Sequence, residues 1–218
     1  MKILDVPRSG SYAGVTSSRN RNGQYVRTRA TPVNPRSTAQ VATRTRQTVN
    51  AAAWRALTAN QRAGWSDLGL SMTRTDQLGQ SYNLTGFQAY CSVNNVLANA
   101  SSALVSDAPA LTTPVGLLTM TLTLTNAAFS IAYTTTPLAA GVKAVIRVSP
   151  QVSAGRNFQA DFRVLAVTAA AAASPYNAFA GYSAKFGVPI TGNKIFVSVA
   201  NTISGFESTS LVVGQIVA

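Results

Sequence analysis

The chain has 218 residues, 46% of them hydrophobic and only 11% charged, and is long enough for one large domain or two small ones. It has no histidine and one cysteine, which excludes a disulfide within the chain, a Cys/His metal site and Ser-His-Asp or Cys-His catalysis. The net charge is +12, and residues 1–66 hold eleven of the eighteen basic side chains against one carboxylate, Asp5. This concentration of positive charge predicts an acidic partner, either nucleic acid or an acidic protein surface.

The most basic stretch covers residues 19–46, with seven basic residues and no acidic one. Its arginines come in close doublets, and residues two apart in an extended chain point to the same side. Pro32 and Pro35 favour extended backbone around them. We therefore expect residues 1–33 to form an extended basic arm, with a brief strand at 24–26, that lies across a partner; a disordered tail in the isolated protein is the alternative. The candidate partner-binding residues are Arg19, Arg21, Tyr25, Arg27, Arg29, Arg36, Arg44 and Arg46.

Residues 34–99 are predicted to form a small unit of three helices. Asn34 followed by Pro35 predicts the start of the first helix, which should run to about Leu57. Thr58 and Thr85 each precede a glutamine by three residues. That is the spacing of a capping box, and it predicts helices that end near residues 68 and 98.

Trp54 and Trp65 flank the junction between the first two predicted helices. Two tryptophans so placed are typical of the core of a helical hairpin, and base stacking is the alternative role. Cys91 lies on the apolar face of the third helix. We interpret it as a small buried residue, because nothing nearby in the sequence would lower its pKa and make it a nucleophile.

Residues 100–114 are rich in Ser, Ala, Pro and Thr and are interpreted as a linker. In residues 115–218, apolar and polar residues alternate in six or seven short runs separated by turn signals such as Ser204-Gly205. This pattern predicts an antiparallel β-sandwich that resembles the immunoglobulin and fibronectin type III class in length and strand spacing. The whole chain is therefore predicted to be an α+β protein. The alternation is carried by Leu118, Met120, Leu122, Leu124, Phe129, Ile131, Tyr133, Val142, Ala144, Ile146, Val148, Phe162, Val164, Ile195, Val197, Val199, Leu211, Val213 and Ile216.

No sequence pattern indicates an active site. The six carboxylates are scattered, and no phosphate loop or dinucleotide fingerprint is present. Ser183 and Lys185 could be offered as a serine/lysine pair, but we expect them in a strand or turn. We predict no enzymatic activity, cofactor, metal site or small-molecule substrate. The uncharged stretches 108–142 and 164–184 lack the pattern of a membrane helix, so we expect no membrane partner. We expect a loop in the alanine-rich run 169–173, because Pro175 follows at once.

The segments Gly23-Gln-Tyr-Val-Arg27 and Pro32-Val-Asn-Pro-Arg36-Ser-Thr-Ala-Gln40, with Arg44 downstream, resemble a family of uncharacterised bacterial and phage proteins. That family shares a glycine-rich start, a YxR strand, an NPRTxAQ motif at the start of a helix and a downstream arginine. Here Ser37 stands one place before the threonine. The resemblance covers about residues 8–65. Proteins of this family are similar to products encoded among the structural genes of tailed phages. The resemblance therefore implies a virion component, and the family has no established active site.

Three hypotheses for function follow. The first is a structural protein of a tailed phage particle, such as a decoration, neck or tail protein, made in the bacterial cytoplasm and located in the virion. Its partners would be other virion proteins, and we expect a homo-oligomer. The second is a nucleic-acid-binding protein that uses the arginines with Tyr12, Tyr25 and Trp54, although no nucleic-acid-binding motif is present. The third is a carbohydrate- or receptor-binding module built on the sandwich.

Overall fold

The computed structural model describes residues 8–20, 23–76, 78–134 and 136–218, which form an α+β protein with antiparallel sheets. The chain divides into two compact units, residues 1–43 and 44–218. The predicted boundaries at residues 33, 99 and 114 stay predictions. In chain order the described elements are β1 Gly10–Tyr12, β2 Val15–Asn20, β3 Gly23–Thr28, α1 Thr38–Ala56, α2 Ala59–Ser71, β4 Thr73–Thr75, β5 Ser81–Asn83, α3 Gly86–Asn99, β6 Thr119–Leu124, β7 Phe129–Thr134, β8 Lys143–Val148, β9 Val152–Ser153, β10 Arg163–Val167, β11 Tyr176–Asn177, α4 Phe179–Phe186, β12 Asn193–Ile203, β13 Phe206–Glu207 and β14 Leu211–Ile216.

The first unit contains a three-stranded antiparallel sheet in the order β1-β2-β3. The sequence predicted one brief strand at residues 24–26, which lies inside β3, and missed the other two strands. Ala13 and Gly14 both have positive φ, so a tight turn joins β1 to β2. None of the residues whose burial is described in this unit is fully buried. The sheet therefore has no hydrophobic core of its own among them.

Helix α1 begins at Thr38, so its predicted start at Pro35 is wrong by three residues. Arg36 has a φ of +48°, a left-handed conformation that cannot belong to a right-handed helix. The Ser37 hydroxyl accepts a hydrogen bond from the backbone N–H of Gln40, so Ser37 fills the capping role assigned to Asn34. The helix ends at Ala56, close to the predicted end.

Both predicted capping boxes are confirmed. The Thr58 side chain accepts from the Gln61 backbone at the start of α2, and Thr85 does the same with Gln88 at the start of α3. In each box the glutamine side chain accepts from the threonine backbone N–H at 2.9 Å. None of the described helices is long and apolar enough to cross a membrane.

The helices of the second unit pack around aromatic side chains. Trp65 is 0% exposed, lies edge-on to Tyr90 at 5.1 Å between ring centroids, and donates from Nε1 to the Ser106 carbonyl. Trp54 is half-buried against Phe87 and Tyr90. The predicted core role is confirmed for Trp65, whereas Trp54 is partly buried and packs against the core. The buried residues of this cluster are Leu57, Trp65, Leu68, Met72, Ala89, Tyr90, Val93, Leu97 and Phe206.

The segment 100–114 has no helix or strand, yet it is bonded to the helices. Asn94 is 0% exposed on α3, and its side chain both accepts from the Val105 N–H and donates to the Val105 carbonyl. Asp107 accepts from the Gln61 amide at 3.0 Å. The segment is thus held in place by specific side-chain hydrogen bonds.

A short hairpin, β4–β5, lies between α2 and α3 and was not predicted. The Asp76 carboxylate accepts from the backbone N–H of Leu78 and of Gln80, which closes the turn. Gly79 in the same turn has a φ of +80°. An aspartate followed by a nearby glycine was the available sequence signal.

The C-terminal strands form two antiparallel sheets. One has the order β11-β7-β6, and the other has the path β10-β8-β12-β13, with β9 and β14 also paired to β12. The strands that the alternating pattern predicted are observed as β6, β7, β8, β10, β12 and β14. The predicted loop at residues 169–173 is confirmed, since no helix or strand forms there.

One hydrophobic cluster draws side chains from both C-terminal sheets and from α4. Its central members include Phe129 and Ile131 on β7, Ile146 on β8 and Val197 on β12. Helix α4 adds Tyr182, whose burial raises the pKa of its phenol above the usual range. The Tyr182 hydroxyl lies 3.3 Å from the Ser149 carbonyl, to which it donates.

Three details of the predicted strands are wrong. Leu118 lies just before β6 and is 73% exposed. A register shift between Val164 and Ala166 inserts an extra residue in β10, so Leu165 packs on the core and Val164 is exposed. At the end of β14, Ile216 is 45% exposed and Val217 is buried in its place.

Helix α4 lies where the sequence analysis expected Ser183 and Lys185 in a strand or turn, so that expectation is also wrong. Phe179, Tyr182 and Phe186 all pack on the core from this helix. Their spacing of three and four residues is helical, and it is the sequence signal for this helix.

Candidate docking surface

The strand register of the N-terminal sheet assigns each predicted binding residue to a face. Residues directly opposite each other on paired strands lie on the same face. Arg27 lies opposite Thr16, which lies opposite Ser11, and Tyr25 lies opposite Ser18. The Ser11 and Thr16 hydroxyls are 2.9 Å apart on this face. We name the surface formed by Ser11, Thr16, Ser18, Tyr25 and Arg27 the arginine face.

Arg29 follows the end of β3 and continues its pattern. Its backbone N–H donates to the Gly14 carbonyl at 2.8 Å, so the hydrogen-bonded ladder with β2 extends one pair beyond Thr28. Arg29 is two positions after Arg27, which puts both on the arginine face. This backbone hydrogen bond supports the predicted pairing of these two arginines on one side.

Arg19 lies on the opposite face, directly across from Gln24. Tyr12, Val15 and Val26 share that face, and Tyr12 is 84% exposed. The structure therefore does not bring Arg19 together with Arg27. Arg21, the predicted partner of Arg19, lies outside the described residues.

The remaining candidates lie along the connection to α1 and on the helix itself. Arg36 is exposed and precedes α1 in the left-handed conformation. Arg44 and Arg46 belong to the second compact unit. Arg46 donates from Nη1 to the Asn99 side chain at 2.8 Å, and Asn50 donates to Asn95 at 3.1 Å. Arg46 thus helps to join α1 to α3.

Four arginine side chains of the first unit differ from these because they make no hydrogen bond, ion pair or ring contact within the described residues. They are Arg19, Arg27, Arg29 and Arg36.

Basic side chains of the β-sheet region are, in contrast, satisfied by their own chain. Arg147 forms a 2.5 Å ion pair with Glu207, and both side chains are largely shielded from solvent. Lys143 donates to the Ala100 carbonyl and to the Ser102 hydroxyl. Such partners leave these groups less available for an external anion.

The described residues offer no arrangement typical of catalysis. They contain no group of three or more His, Cys, Asp or Glu side chains that could hold a metal ion. Lys185 donates to the Val164 carbonyl, and on a helix it points away from Ser183 two residues before it. Burial raises the pKa of the Cys91 thiol, and a hydrogen bond from Gln47 reverses part of this rise in pKa. The thiol is therefore protonated at neutral pH.

A groove of about 450 Å³ lies between the β4 end of α2, helix α3 and the turn before β13. Its lining includes Ser71, Arg74, Ser92 and Glu207. The Glu207 carboxylate is already paired with Arg147, so it is not free to act as a base. The groove carries no evident chemistry.

Sequence reasoning missed Ser11, Thr16 and Ser18 as neighbours of Arg27. The missing information was the pairing of β1 and β2 with β3, which depends on strand register and not on the composition of any one strand. The glycine at position 14 was the available signal for a hairpin.

No family model matches this chain, and no curated protein matches it either.

Proposed function

We propose that this protein is a non-enzymatic structural component of a tailed phage virion, a decoration, neck or tail protein. It attaches to an acidic protein surface of the particle through its basic N-terminal segment and helices. The observation that carries the proposal is the contrast between basic side chains. Arg27 and Arg29 share one face and have no partner among the described residues, whereas Arg147 and Lys143 are held by their own chain.

The distribution of buried residues also supports docking through the N-terminal unit. The two hydrophobic clusters draw only on residues after 43, and none of the residues before 44 whose burial is described is fully buried. A sheet without a core gains the missing burial when it docks. Residues 29–33 have no helix or strand and fit the extended part of the arm.

Helix α1 is suited to be a second contact. Residues 38–45 are all exposed, although the helix continues to Ala56. Asn50 is its one buried residue in the described structure. A helix that is polar on most sides and unpacked over two turns fits one that bridges to a partner.

The assignment to a phage particle rests on the resemblance of residues 23–27 and 32–40 to bacterial and phage proteins. The C-terminal sheets support an immunoglobulin-like or fibronectin type III-like sandwich, because one core is built from both of them. Such a domain, packed in a ring or facing outward, suits a homo-oligomeric virion component.

Nucleic-acid binding is the second candidate, and one observation favours it. Tyr25 and Arg27 lie on the same face of β3, where a base could stack on the ring while the guanidinium holds a phosphate. Tyr12 lies on the other face, and Trp54 is occupied by Phe87 and Tyr90, so the predicted stacking set is not assembled around Tyr25.

The double variant Arg27→Lys/Arg29→Lys distinguishes the two candidates. It keeps the charge but removes the planar fork that binds a carboxylate through two hydrogen bonds. We expect its incorporation into particles that lack the protein to fall by roughly tenfold or more. Arg156→Lys/Arg163→Lys, the same change at exposed arginines of the β-sheet region, is the control and should incorporate normally.

If the partner is nucleic acid held by phosphate attraction, Arg27→Lys/Arg29→Lys should change little. The full chain should then bind DNA with an affinity that falls steeply with salt. Incorporation equal to that of the control variant, together with such a salt dependence, would replace the first candidate by the second.

A further inference from the structure

Strand β3 has no neighbouring strand on one of its edges within the described part of the chain. The sheet order β1-β2-β3 places β2 in the centre, so β3 has one hydrogen-bonded neighbour among the described strands. It pairs with β2 over six consecutive residues, without a bulge and without proline. Natural proteins usually protect such an edge, because its unpaired backbone groups are a template for another strand.

The hydrogen bond from the Arg29 N–H to Gly14 identifies the groups on this edge. In an antiparallel pair, alternate residues direct both backbone groups to the same neighbour. Since the backbone N–H of Arg29 is directed toward β2, the backbone groups of Arg27 and Tyr25 are directed toward β2 as well. Gln24, Val26 and Thr28 must then direct their N–H and C=O groups outward. None of these groups bonds to another described segment.

The side chains beside this edge specify what could pair with it. Arg27, which has no partner in the described part of the chain, lies on one face, and the half-buried Val26 lies on the other. A strand added in antiparallel fashion would place one residue opposite each of them. A carboxylate suits the position opposite Arg27, and an apolar side chain suits the position opposite Val26.

We infer that β3 is the docking edge for an extended acidic segment of a partner protein, which adds to the sheet as an antiparallel fourth strand. The segment alternates carboxylate and apolar side chains. This inference rests on the proposed function, and it deepens it by naming how the acidic partner is held. Main-chain hydrogen bonds supply affinity, and the alternating side chains supply specificity.

Charge and chemistry favour this acidic strand over the other occupants. Residues 1–43 carry seven basic side chains and one acidic one, so the same edge of a second copy would bring like charges together. The six carboxylates of a second copy lie in six separate segments, and none alternates with another. Nucleic acid phosphates accept hydrogen bonds but do not donate them, so they would leave the outward carbonyls unpaired.

The test measures binding of a labelled eight-residue peptide, alternating glutamate and valine, to the full chain by fluorescence anisotropy. In the inferred arrangement the valines direct their N–H groups to β3 and the glutamates direct theirs outward. Methylation of the valine nitrogens should therefore abolish binding. Methylation of the glutamate nitrogens should preserve it, and a peptide with four glutamates followed by four valines should bind at least about tenfold more weakly.

Variants of the chain test the same edge. Val26→Pro removes an outward N–H and leaves the bonds to β2 in place, so peptide affinity should fall roughly tenfold or more. Val26→Ala keeps the N–H and should bind within about threefold of the original chain. The methylated peptides decide the question even if Val26→Pro disturbs the sheet.

Each other outcome has a meaning. No measurable binding of the alternating peptide, or equal binding of both methylated peptides, overturns the edge. If both methylated peptides bind equally and Arg27→Gln/Arg29→Gln loses them, acidic docking stands and only the strand addition is wrong. If Arg27→Gln/Arg29→Gln binds these peptides as tightly as the original chain does, both the strand addition and the proposed docking through the arginines are wrong.

Discussion

Replacement of Gly205 by alanine is expected to lower the free energy of unfolding by about 2–6 kcal/mol, through backbone strain and overpacking together. Gly205 follows Ser204 in the turn between β12 and β13, and both residues have positive φ. A Cβ atom on Gly205 would lie 2.4 Å from Cγ1 of Val93 and 3.0 Å from its carbonyl oxygen. Val93 is fully buried on α3, so it has little room to move.

Gly192→Ala is the matched control. Gly192 has a φ of +86°, close to the +83° of Gly205, but an added Cβ would meet nothing within 4 Å. It should cost only the strain of the backbone, about 1–3 kcal/mol. Urea unfolding at equilibrium measures both variants, and equal losses would show that the contact between this turn and α3 does not contribute.

The glycines of α2 should give changes of opposite sign. A Cβ on Gly69 would lie 2.5 Å from the Leu84 carbonyl oxygen, so Gly69→Ala should destabilise by about 1–3 kcal/mol. A Cβ on Gly64 would lie 3.8 Å from Ala108, an ordinary contact. Gly64→Ala should stabilise by about 0.5–1 kcal/mol, because alanine is the better helix former. Thermal or urea unfolding of the pair tests this, and a loss of stability in both would contradict it.

Local rules predicted much of the fold. The threonine and glutamine of each capping box mark the starts of α2 and α3, because the bonds involved span only three residues. Alternation of apolar residues likewise predicts β6, β7, β8 and β12, whose inner faces are buried. In these elements the sequence neighbours decide the structure.

Features that depend on more distant contacts were missed. Arg36 adopts its left-handed conformation one residue before the Ser37 cap, and no propensity marks it. The bulge that turns Leu165 inward is a property of the pairing between β10 and β8. The separation of Arg19 from Arg27 likewise follows from strand alternation and register, which composition does not specify.

The positive charge of the candidate surface could be predicted from the sequence, but the arrangement of its residues on faces and edges could not. The sequence contains seven basic residues between positions 19 and 46, and this charge predicts an acidic partner. Only the register places Arg27 and Arg29 on one face and assigns the outward backbone groups of β3 to Gln24, Val26 and Thr28. Strand pairing thus turns a basic segment into a surface with a preferred partner.

Protection from trypsin on assembly tests the central claim most directly. Trypsin should cut the free chain early at Arg27 and Arg29, because the described residues around them are not fully buried. In assembled particles both sites should become resistant. The Arg27→Lys/Arg29→Lys variant keeps both cleavage sites but docks poorly, so mixed with the same particles it should still be cut. Equal cleavage of the original chain before and after assembly would contradict docking through this segment.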